Sequence, residues 1–492
     1  MDRRAWAADS EKSEAAPAVA SRRLKVVLYN PRAVFYQMPL ALLAIGSHLD
    51  PDRYEVVTID GRLEADPVGA VLSHLEDAVC LGVTVLTGAP ILDAMEISRA
   101  AKRAHSDMPV VWGGWHPSMF ARECLAEPSV DVTVQAQGEE TFADILERLL
   151  EGRSLEGCAG CAFRRDDGSI CINPPRDLKG VSTFREPDYG LIPVERYFEL
   201  KGKRQLDYIS SQGCNFRCAF CSDPFVYGRK WVGLDPVSMG VRLKALWDRY
   251  RFDDINFQDE TFFTRRDRVK AFAEEVIASG MEITWAATMR ADQGVRLPDD
   301  VWQLCKQSGL RRLLVGVESG SSEMLKRIRK DVTIDQVFET AGKMLAHGIA
   351  GHFPFIVGFP DESDESIQDT LACARRLRSM SPDFLTPIFY FKPYPGSEIV
   401  TEAVARGYKL PETLEEWAGF DYVQGEPGPW VSPEKFRLIE RFKFFHELAW
   451  KRAAPAERWL QRLARYRCSR NAYRWPIEMA LMRAWRSEPR LS

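Results

Sequence analysis

The amino-acid sequence predicts an α/β protein in which two units of parallel sheet follow each other and a helical region ends the chain. Apolar strand-like runs alternate with helix-like segments from residue 24 to 150, and this alternation returns from 204 to 400. A loop with three closely spaced cysteines lies near the start of the second unit. We expect a disordered tail at 1–23, α/β domains at 24–150 and 204–400, a linker with a hairpin at 151–203 and a helical region at 401–492.

The composition fits a globular chain and excludes several classes of protein. Charged residues make up 28% of the 492 residues, and the net charge of −4 argues against binding of nucleic acid by the whole chain. No stretch approaches the roughly 18 consecutive apolar residues of a membrane span, and the first 23 residues lack the apolar run of a signal peptide. We therefore expect a cytoplasmic protein, whose 11 cysteines are thiols or metal ligands.

Five strand-like runs define the first α/β unit. Each is short, rich in Val, Ile or Leu, and separated from the next by a helix-like segment, as in a parallel sheet. The runs are Leu24 to Tyr29, Tyr54 to Ile59, Val79 to Val85, Val110 to Trp112 and Val130 to Val134.

The loops after these strands are the candidate binding elements of the first unit, because ligands of open parallel sheets bind at the carboxyl ends of strands. No G-x-G-x-x-G follows the first strand and no P-loop lysine is present, so a dinucleotide or a nucleoside triphosphate is not favoured. The loops are Asn30-Pro31-Arg32, Thr84 to Gly88, Gly113-Gly114-Trp115-His116 and Gln137-Gly138-Glu139-Glu140-Thr141.

The linker contains three cysteines, Cys158, Cys161 and Cys171, which leave a second metal site as one alternative. The residues between Cys161 and Cys171 instead indicate a β-hairpin with an Asp167-Gly168 turn. We favour a structural role for the three thiols.

The segment from Gly213 to Cys221 holds Cys214, Cys218 and Cys221 in a C-x3-C-x2-C pattern. Iron–sulfur clusters normally take four thiolates, so a group of three leaves one iron open for a small molecule. A catalytic zinc site keeps an open position in the same way. The alternatives are thiols scattered through a core and a zinc knuckle that lacks one ligand.

This spacing, with Phe220 just before the third cysteine, resembles the radical SAM superfamily. In that superfamily a reduced 4Fe–4S cluster splits S-adenosylmethionine (SAM) into methionine and a 5′-deoxyadenosyl radical. The resemblance implies that the three cysteines hold the cluster and that SAM occupies the open iron. It also implies an external electron donor such as flavodoxin or ferredoxin.

Later strand ends of the second unit carry further matches to this superfamily, and they imply a partial (β/α)6 barrel with its site at the strand ends. The resemblance gives the acidic pair Asp259-Glu260 the task of accepting hydrogen bonds from the SAM ammonium, and Arg290 that of pairing with a carboxylate. Glu318 and Ser319 fall where the family contacts the ribose and carboxylate of SAM. The implied SAM contacts are Phe220, Asp259, Glu260, Arg290, Glu318, Ser319, Val357 and Gly358.

The loops of the first unit look like those of the Rossmann-like cobalamin-binding domain that precedes many radical SAM barrels. The D-x-H-x-x-G signature, whose histidine binds cobalt in many cobalamin enzymes, is missing, because Asp60 is followed by Gly61-Arg62-Leu63. We expect cobalt without a protein imidazole, and His116 as a loop histidine that bonds to backbone or to a corrinoid side chain. The implied cobalamin contacts are Thr84, Thr87, Gly113, Gly114, His116, Gln137, Gly138 and Glu139.

The resemblance implies an enzyme that functionalises an unactivated carbon of a small molecule. C-methylation of a hydrophobic or natural-product substrate is favoured because it is the commoner activity of the group. Oxidative cyclisation or ring rearrangement of a tetrapyrrole or lipid-like substrate stays open. So do a corrinoid-independent enzyme such as a methylthiotransferase, although only Cys80 and Cys124 precede the linker cysteines, and a cluster-based redox sensor.

The last 42 residues, from Lys451 to Ser492, carry 11 Lys or Arg against three Glu. Apolar residues recur at helical spacing in Trp459-Leu460-Leu463-Tyr466, and again after Pro476. A basic amphipathic helix with aromatic residues is typical of a segment that lies on an anionic membrane surface. A helical cap packed on the barrel is the alternative.

Overall fold

The computed structural model describes residues 23–33, 37–420, 425, 427–450 and 458–473. Apart from Arg23, the tail predicted at the start of the chain lies outside the described residues, as does the second amphipathic stretch after Pro476.

A seven-stranded sheet forms the N-terminal half in the order β2-β1-β3-β4-β5-β6-β7. The first five strands in the chain are parallel, and the Val- and Leu-rich strand β1 is buried over most of its length, as expected for a parallel sheet covered on both faces. These five coincide with the predicted runs to within one or two residues at each end. The strands are β1 (Leu24–Asn30), β2 (Tyr54–Asp60), β3 (Ala78–Thr84), β4 (Val110–Gly113), β5 (Val132–Val134), β6 (Cys161–Arg164) and β7 (Ile170–Ile172).

Helices cover both faces of this sheet. Their inward residues are apolar, and α6 buries Phe142, Ile145 and Leu146 at helical spacing. The helices are α1 (Leu40–His48), α2 (Pro67–Leu72), α3 (Pro90–Ala104), α4 (Trp115–Met119), α5 (Ala121–Ala126) and α6 (Glu139–Leu150). Helix α7 (Val194–Lys201), in the linker, packs on the barrel core instead.

The linker hairpin is part of the N-terminal sheet. Strands β6 and β7 are antiparallel, and β6 pairs with β5, so the hairpin extends the parallel sheet by an antiparallel edge. Gly168 has φ of +81° in the turn, a conformation that glycine adopts without strain. The hairpin therefore tightens the N-terminal domain, and Cys158 and Cys161 are buried beneath it.

The second half is an open parallel barrel. Six strands pair in the order β16-β14-β13-β12-β11-β8, and β15 pairs with β17 beyond them. The fifth and sixth barrel strands are each interrupted near a proline, Pro354 and Pro387, which has no N–H to donate to the ladder. The strands are β8 (Gln205–Tyr208), β9 (Ser211–Gly213), β10 (Trp231–Gly233), β11 (Asp254–Phe257), β12 (Thr284–Met289), β13 (Leu310–Val315), β14 (Ala350–His352), β15 (Phe355–Val357), β16 (Phe384–Leu385) and β17 (Ile388–Tyr390).

Helices follow the barrel strands, and several begin at a sequence-encoded cap. Asp235 accepts hydrogen bonds from the first turn of α9, whose first residue is Pro236, and Thr333 forms a capping box with Gln336 at the start of α14. The helices are α8 (Asp223–Val226), α9 (Pro236–Tyr250), α10 (Arg266–Ala278), α11 (Ala291–Arg296), α12 (Asp299–Gln307), α13 (Ser322–Arg327), α14 (Ile334–Ala346) and α15 (Asp364–Met380).

The C-terminal region adds α16 (Ile399–Ala405), α17 (Leu414–Ala418), α18 (Pro433–Trp450) and α19 (Arg458–Arg470). Helix α17 packs on the N-terminal domain through Trp417, whereas α18 packs on the barrel. The C-terminal region therefore contacts both domains. No helix of the described part is both long and apolar enough to cross a membrane.

Candidate active site

A cavity of about 350 Å³ lies between the carboxyl edge of the N-terminal sheet and the barrel. Its walls come from both domains, since the loops after β1, β3, β4 and β5 face Ile209, Gln212, Tyr227 and Glu260 of the barrel. The carboxyl ends of the strands, where ligands of parallel sheets and barrels bind, therefore meet at this cavity from both domains. Of the predicted site residues, this cavity is lined by Thr84, Gly113, Gly114, Gln137, Gly138, Glu139 and Glu260.

The N-terminal wall is made largely of backbone and apolar side chains. Gly114 has φ of +98°, and a Cβ there would lie 3.0 Å from the carbonyl oxygen of Val85. A Cβ on Gly138 would lie 3.2 Å from Ile45. These close contacts favour glycine at both positions, so backbone forms part of the wall that a corrinoid would meet.

Two side chains join the two walls. Gln137 donates from Nε2 to Oε1 of Gln212 at 2.7 Å, and its own Oε1 accepts from the backbone N–H of Lys179 at 2.9 Å. Gln212 lies in β9, two residues before Cys214. The loop after β5 is thus hydrogen-bonded to the strand that leads into the cysteine loop.

Thr87 and His116 are placed differently from the other predicted cobalamin contacts. They are not among the residues that line the described part of the cavity. Nδ1 of His116 and Oγ1 of Thr87 are 3.2 Å apart and form a hydrogen bond. The imidazole ring packs against Phe120 and Trp417. Burial lowers the pKa of His116 to about 3, which keeps the imidazole neutral. The ring is therefore placed as a core side chain, and its hydrogen-bond partner is a threonine, not backbone.

The cysteine loop starts where β9 ends. Gly213 has φ of +80°, and a Cβ there would lie 2.3 Å from the carbonyl oxygen of Lys230, so the turn into the loop requires glycine. Cys214, Cys218 and Cys221 are all partly exposed, whereas Cys158 and Cys161 are fully buried. Burial raises the pKa of the Cys214 thiol to about 11 and that of Cys221 well above its usual value.

No three His, Cys, Asp or Glu side chains within the described ranges converge as ligands of a single metal ion do. A cubane cluster takes each thiolate on a different iron atom, so the three cysteines do not need such convergence. Their grouping in one exposed loop beside the cavity fits a cluster better than it fits a zinc knuckle.

Glu260 is the predicted SAM contact that the structure leaves free. Its Oε2 is buried and has no hydrogen-bond partner among the described residues, and its side chain lines the cavity. Burial, together with the nearby Asp223, raises the pKa of Glu260 to about 8. Only Oε2 lacks a partner, because the carboxyl group also accepts from the backbone N–H groups of Glu260 itself and Gly213. An unpaired buried oxygen is costly, so this side chain fits the binding of a cationic group such as an ammonium.

Asp259 has a different task. One of its carboxylate oxygens accepts from the Ser210 backbone N–H at 2.7 Å, and the other accepts from the hydroxyls of Ser210 and Ser211. The carboxylate thereby fixes the segment between β8 and β9 that leads into the cysteine loop. The sequence treated Asp259 and Glu260 as an equivalent pair. In the structure Asp259 is hydrogen-bonded to protein groups, whereas Glu260 Oε2 has no partner among the described residues.

The other predicted SAM contacts of the barrel are held by protein partners. Glu318, at a left-handed φ of +67°, forms a buried ion pair with Lys330 at 2.8 Å, and Ser319 contacts the Thr370 hydroxyl at 3.0 Å. Arg290 is held by several partners that include Cys218. Gly358 donates to Glu362 at 2.6 Å.

Val357 and Phe220 belong to the apolar packing of the barrel. Val357 is fully buried in the barrel core, and the Phe220 ring lies 6.3 Å from that of Phe359. Neither side chain lines the described part of the cavity.

Sequence reasoning missed three side chains of the site. Gln212 and Tyr227 line the cavity on either side of the cysteine loop, and Lys330 is a buried cation near it. The signal for Gln212 was its position next to Gly213 in a strand that leads into the loop. Nothing in the sequence marks Lys330, since its partner Glu318 is 12 residues away.

Comparison with known proteins agrees with this geometry. Residues 28–146 match the B12 binding domain, and residues 208–374 match the radical SAM superfamily. The chain therefore combines a B12-binding domain with a radical SAM domain, as the cobalamin-binding radical SAM proteins do. The radical SAM domain implies a 4Fe–4S cluster and SAM, and the B12-binding domain implies cobalamin.

Three relatives span most of this chain. An uncharacterized methyltransferase of Pyrococcus horikoshii is 28% identical over 78% of this chain and 82% of its own length. The cytidylyl-2-hydroxyethylphosphonate methyltransferase of Streptomyces wedmorensis is 25% identical over 89% and 93%. The anaerobic magnesium-protoporphyrin IX monomethyl ester cyclase of Synechocystis is 25% identical over 71% and 70%.

Two solved structures share the fold. The radical SAM methyltransferase TsrM from Kitasatospora setae, with tryptophan substrate and aza-SAM bound, matches with a TM-score of 0.72 at 15% identity, over 94% of this chain and 99% of that chain. The radical enzyme OxsB with aqua-cobalamin bound matches with a TM-score of 0.63 at 21% identity. The match covers 80% of this chain but only 56% of the OxsB chain.

Proposed function

We propose that this protein is a C-methyltransferase that uses SAM, a 4Fe–4S cluster and cobalamin to methylate an unactivated carbon of a small molecule. The observation that supports this most is the cavity shared by the two domains, in which the glycines of the B12-binding domain face Glu260 of the radical SAM domain, whose Oε2 has no partner among the described residues. When bound, the three cofactors supply an electron, a hydrogen-abstracting radical and a methyl group.

The residues of this chain then have distinct tasks. Cys214, Cys218 and Cys221 hold the cluster, and Glu260 accepts hydrogen bonds from the SAM ammonium. The flat wall at Gly114 positions the corrinoid, and the Gln137–Gln212 hydrogen bond keeps the two walls in register. A cavity with fixed walls keeps reacting groups aligned, and this alignment protects a radical from side reactions.

The lining of the cavity bears on the substrate. Arg62 is the one Lys or Arg of the described lining, and its guanidinium is bound to the carboxylate of Asp60. Glu139 and Glu260 add carboxyl groups, and most other lining residues are apolar or glycine. We propose a neutral, hydrophobic substrate, because the described wall offers little to balance a polyanion.

Incorporation of label tests the methylation. Full-length protein is reconstituted anaerobically with iron, sulfide and hydroxocobalamin, reduced, and incubated with methyl-deuterated SAM and candidate apolar substrates. We expect spectra of both cluster and cobalamin, 5′-deoxyadenosine, and a product that carries the deuterated methyl group. Formation of 5′-deoxyadenosine with an unlabelled, oxidised product would contradict methyl transfer.

That second result would favour the alternative of oxidative cyclisation or ring rearrangement, which the relative from Synechocystis supports by its name. A corrinoid-independent reaction such as methylthiotransfer is disfavoured by the matched B12-binding domain. An external one-electron donor, a flavodoxin or a ferredoxin, completes the proposal, and substitution of purified flavodoxin for a chemical reductant tests it through 5′-deoxyadenosine formation.

We also propose that the protein contacts membranes peripherally through α19. Trp459 and Tyr466 lie one above the other on this helix and are 63% and 60% exposed, with Arg462 between them. Ala464 and Cys468 form the buried side, so a truncation would uncover core, and the double variant Trp459→Ser with Tyr466→Ser is the cleaner test. We expect co-sedimentation with anionic liposomes at low salt, weakened in the variant. Equal sedimentation of both proteins would contradict the contact.

A further inference from the structure

Arg290 is a buried cation that contacts a cysteine of the cluster loop. Its Nη1 lies 3.7 Å from Sγ of Cys218, and its guanidinium carbon lies 3.7 Å from the ring centre of Phe216. The side chain is 8% exposed, so water screens the contact with the sulfur only weakly. The sequence predicted Arg290 as a SAM contact that pairs with a carboxylate.

The remaining donors of Arg290 are already used. Its Nε donates to Asp292 Oδ1 at 3.0 Å, and its Nη2 donates to the carbonyl oxygens of Lys330 and Asp331. A bidentate grip on a carboxylate needs two parallel N–H groups. The guanidinium has no such free pair, and the stack on Phe216 fixes its plane.

The charge around Arg290 is not cancelled by its partner. Asp292 is shared between Arg290 and Arg296, so the three side chains together keep one positive charge. The nearby Lys330–Glu318 and Arg217–Asp331 pairs are each neutral. A net cation thus lies directly beside the thiol of Cys218.

We propose that Arg290 raises the reduction potential of the iron–sulfur cluster by donating to the Cys218 thiolate, and that it does not anchor the SAM carboxylate. The potential of such a cluster depends on local charge and on hydrogen bonds to its sulfurs. Reduction adds a negative charge, which a neighbouring guanidinium stabilises. Arg290 is therefore a positioning and tuning residue, and this inference rests on the cluster site proposed above.

The backbone of Arg290 makes substitution practicable. Its N–H donates to Gln293 Oε1 at 2.9 Å at the start of α11, a contact that needs no arginine side chain. Arg290→Met removes the charge and keeps an unbranched chain, and Arg290→Lys keeps the charge but loses the planar donors. Arg296→Met is the matched control, because Arg296 also pairs with Asp292 but makes no hydrogen bond to a cysteine among the described residues.

The test is a potentiometric titration of the full-length reconstituted protein without SAM, followed by electron paramagnetic resonance of the reduced cluster. At a fixed potential, we expect the ratio of reduced to oxidised cluster to fall about tenfold in Arg290→Met, which corresponds to about 59 mV for one electron. We expect a smaller fall in Arg290→Lys. The smallest fall is expected in Arg296→Met, which removes a more exposed positive charge but leaves the hydrogen bond from Arg290 to Cys218 in place. SAM affinity, measured on the oxidised cluster by equilibrium dialysis, should stay unchanged.

Each outcome decides the inference. An unchanged potential in both Arg290 variants overturns it, and a tenfold loss of SAM affinity with an unchanged potential restores the carboxylate role. If Arg290→Met fails to assemble a cluster, Arg290→Lys alone decides. A wild-type protein without any cluster would instead refute the proposed function, so the two failures are distinguishable.

Discussion

The carboxyl edge of the N-terminal sheet and the carboxyl edge of the barrel face the same cavity with different chemistry. The N-terminal edge presents Gly113, Gly114 and Gly138, and its one buried imidazole, His116, is turned into the core. The barrel edge carries several charged side chains that are held by protein partners, and of these strand-end groups Glu260 lines the described part of the cavity. A large planar corrinoid needs space, which the glycines of the N-terminal edge leave. SAM and an iron–sulfur cluster need charged or polar groups, which the barrel edge supplies.

The difference also concerns how the edges are fixed. The N-terminal wall depends on backbone conformation, and any Cβ at Gly114 disturbs it. The barrel wall depends on hydrogen-bond networks such as that of Asp259 with Ser210 and Ser211. Oε2 of the neighbouring Glu260 has no partner among the described residues. Substitutions should therefore act on one cofactor at a time.

The cysteines give the largest expected effect. Replacing Cys214, Cys218 or Cys221 by Ala should abolish the broad cluster absorption and reductive SAM cleavage, while cobalamin binding by the N-terminal wall persists. Cys158→Ala and Cys161→Ala remove fully buried thiols and should cost about 1–2 kcal/mol of folding free energy but leave the cluster intact. Iron and sulfide analysis with visible spectra checks this. Equal dependence on the linker cysteines would mean a second cluster.

The N-terminal wall is tested by Gly114→Ala. The added Cβ meets the Val85 carbonyl, so we expect cobalamin binding to weaken by about tenfold or more, with cluster content unchanged. Gly168→Ala is the matched control, because Gly168 also has positive φ, but a Cβ there meets nothing within 4 Å. Absorbance titration with hydroxocobalamin measures both. If both variants lose affinity equally, general backbone strain explains the loss, and a local contact of Gly114 with the cobalamin site does not.

The barrel wall is tested by Glu260→Gln. We expect SAM affinity to fall about 10- to 100-fold, because a charge-assisted hydrogen bond contributes about 1.5–3 kcal/mol. Cobalamin affinity should not change. Equilibrium dialysis with labelled SAM measures the loss, and Glu139→Gln, on the opposite wall, is the control. If Glu260→Gln lost affinity for cobalamin and kept its affinity for SAM, the assignment of SAM to the barrel edge and of cobalamin to the N-terminal edge would be contradicted.

The same variant changes stability in the free protein. The pKa of Glu260 is about 8 in the fold, above its ordinary value, so between about pH 4.5 and 8 the folded state keeps a proton that the unfolded state has lost. The stability of the wild-type protein therefore falls as pH rises through this window. Glu260→Gln should have the higher melting temperature without SAM, by a margin that grows towards pH 8. A margin independent of pH would contradict the raised pKa.

The sequence predicted the framework well because its signals are local. The five N-terminal strands, the cysteine loop and the Asp167-Gly168 turn each depend on neighbouring residues and their spacing. The roles of Asp259, Arg290 and Glu318 depend on partners that are 49, 72 and 12 residues away in the chain. Spacing alone does not predict which charged groups neutralise each other, so the sequence could name these residues as candidate contacts but not the protein partners that hold them.

His116 gives the smallest expected effect on the cofactors. Because its ring packs on Phe120 and Trp417 and not on the cavity, the cob(II)alamin form should show no nitrogen superhyperfine coupling by electron paramagnetic resonance, in wild type and in His116→Ala alike. His446→Ala is the matched control, since burial lowers the pKa of both histidines to about 3 and His446 lies against the barrel.

Both histidine variants should instead change acid stability. In the wild type, the unfolded chain protonates these imidazoles below about pH 6.5 while the folded chain keeps them neutral until about pH 3, so stability falls as pH drops through this window. Each variant removes one such group, and its melting temperature should depend less on pH between 6.5 and 5. A coupling that is present in the wild type and vanishes only in His116→Ala would place that imidazole on cobalt. The N-terminal edge would then bind its cofactor through a side chain, and the contrast between a backbone wall and a barrel wall of side chains would be wrong.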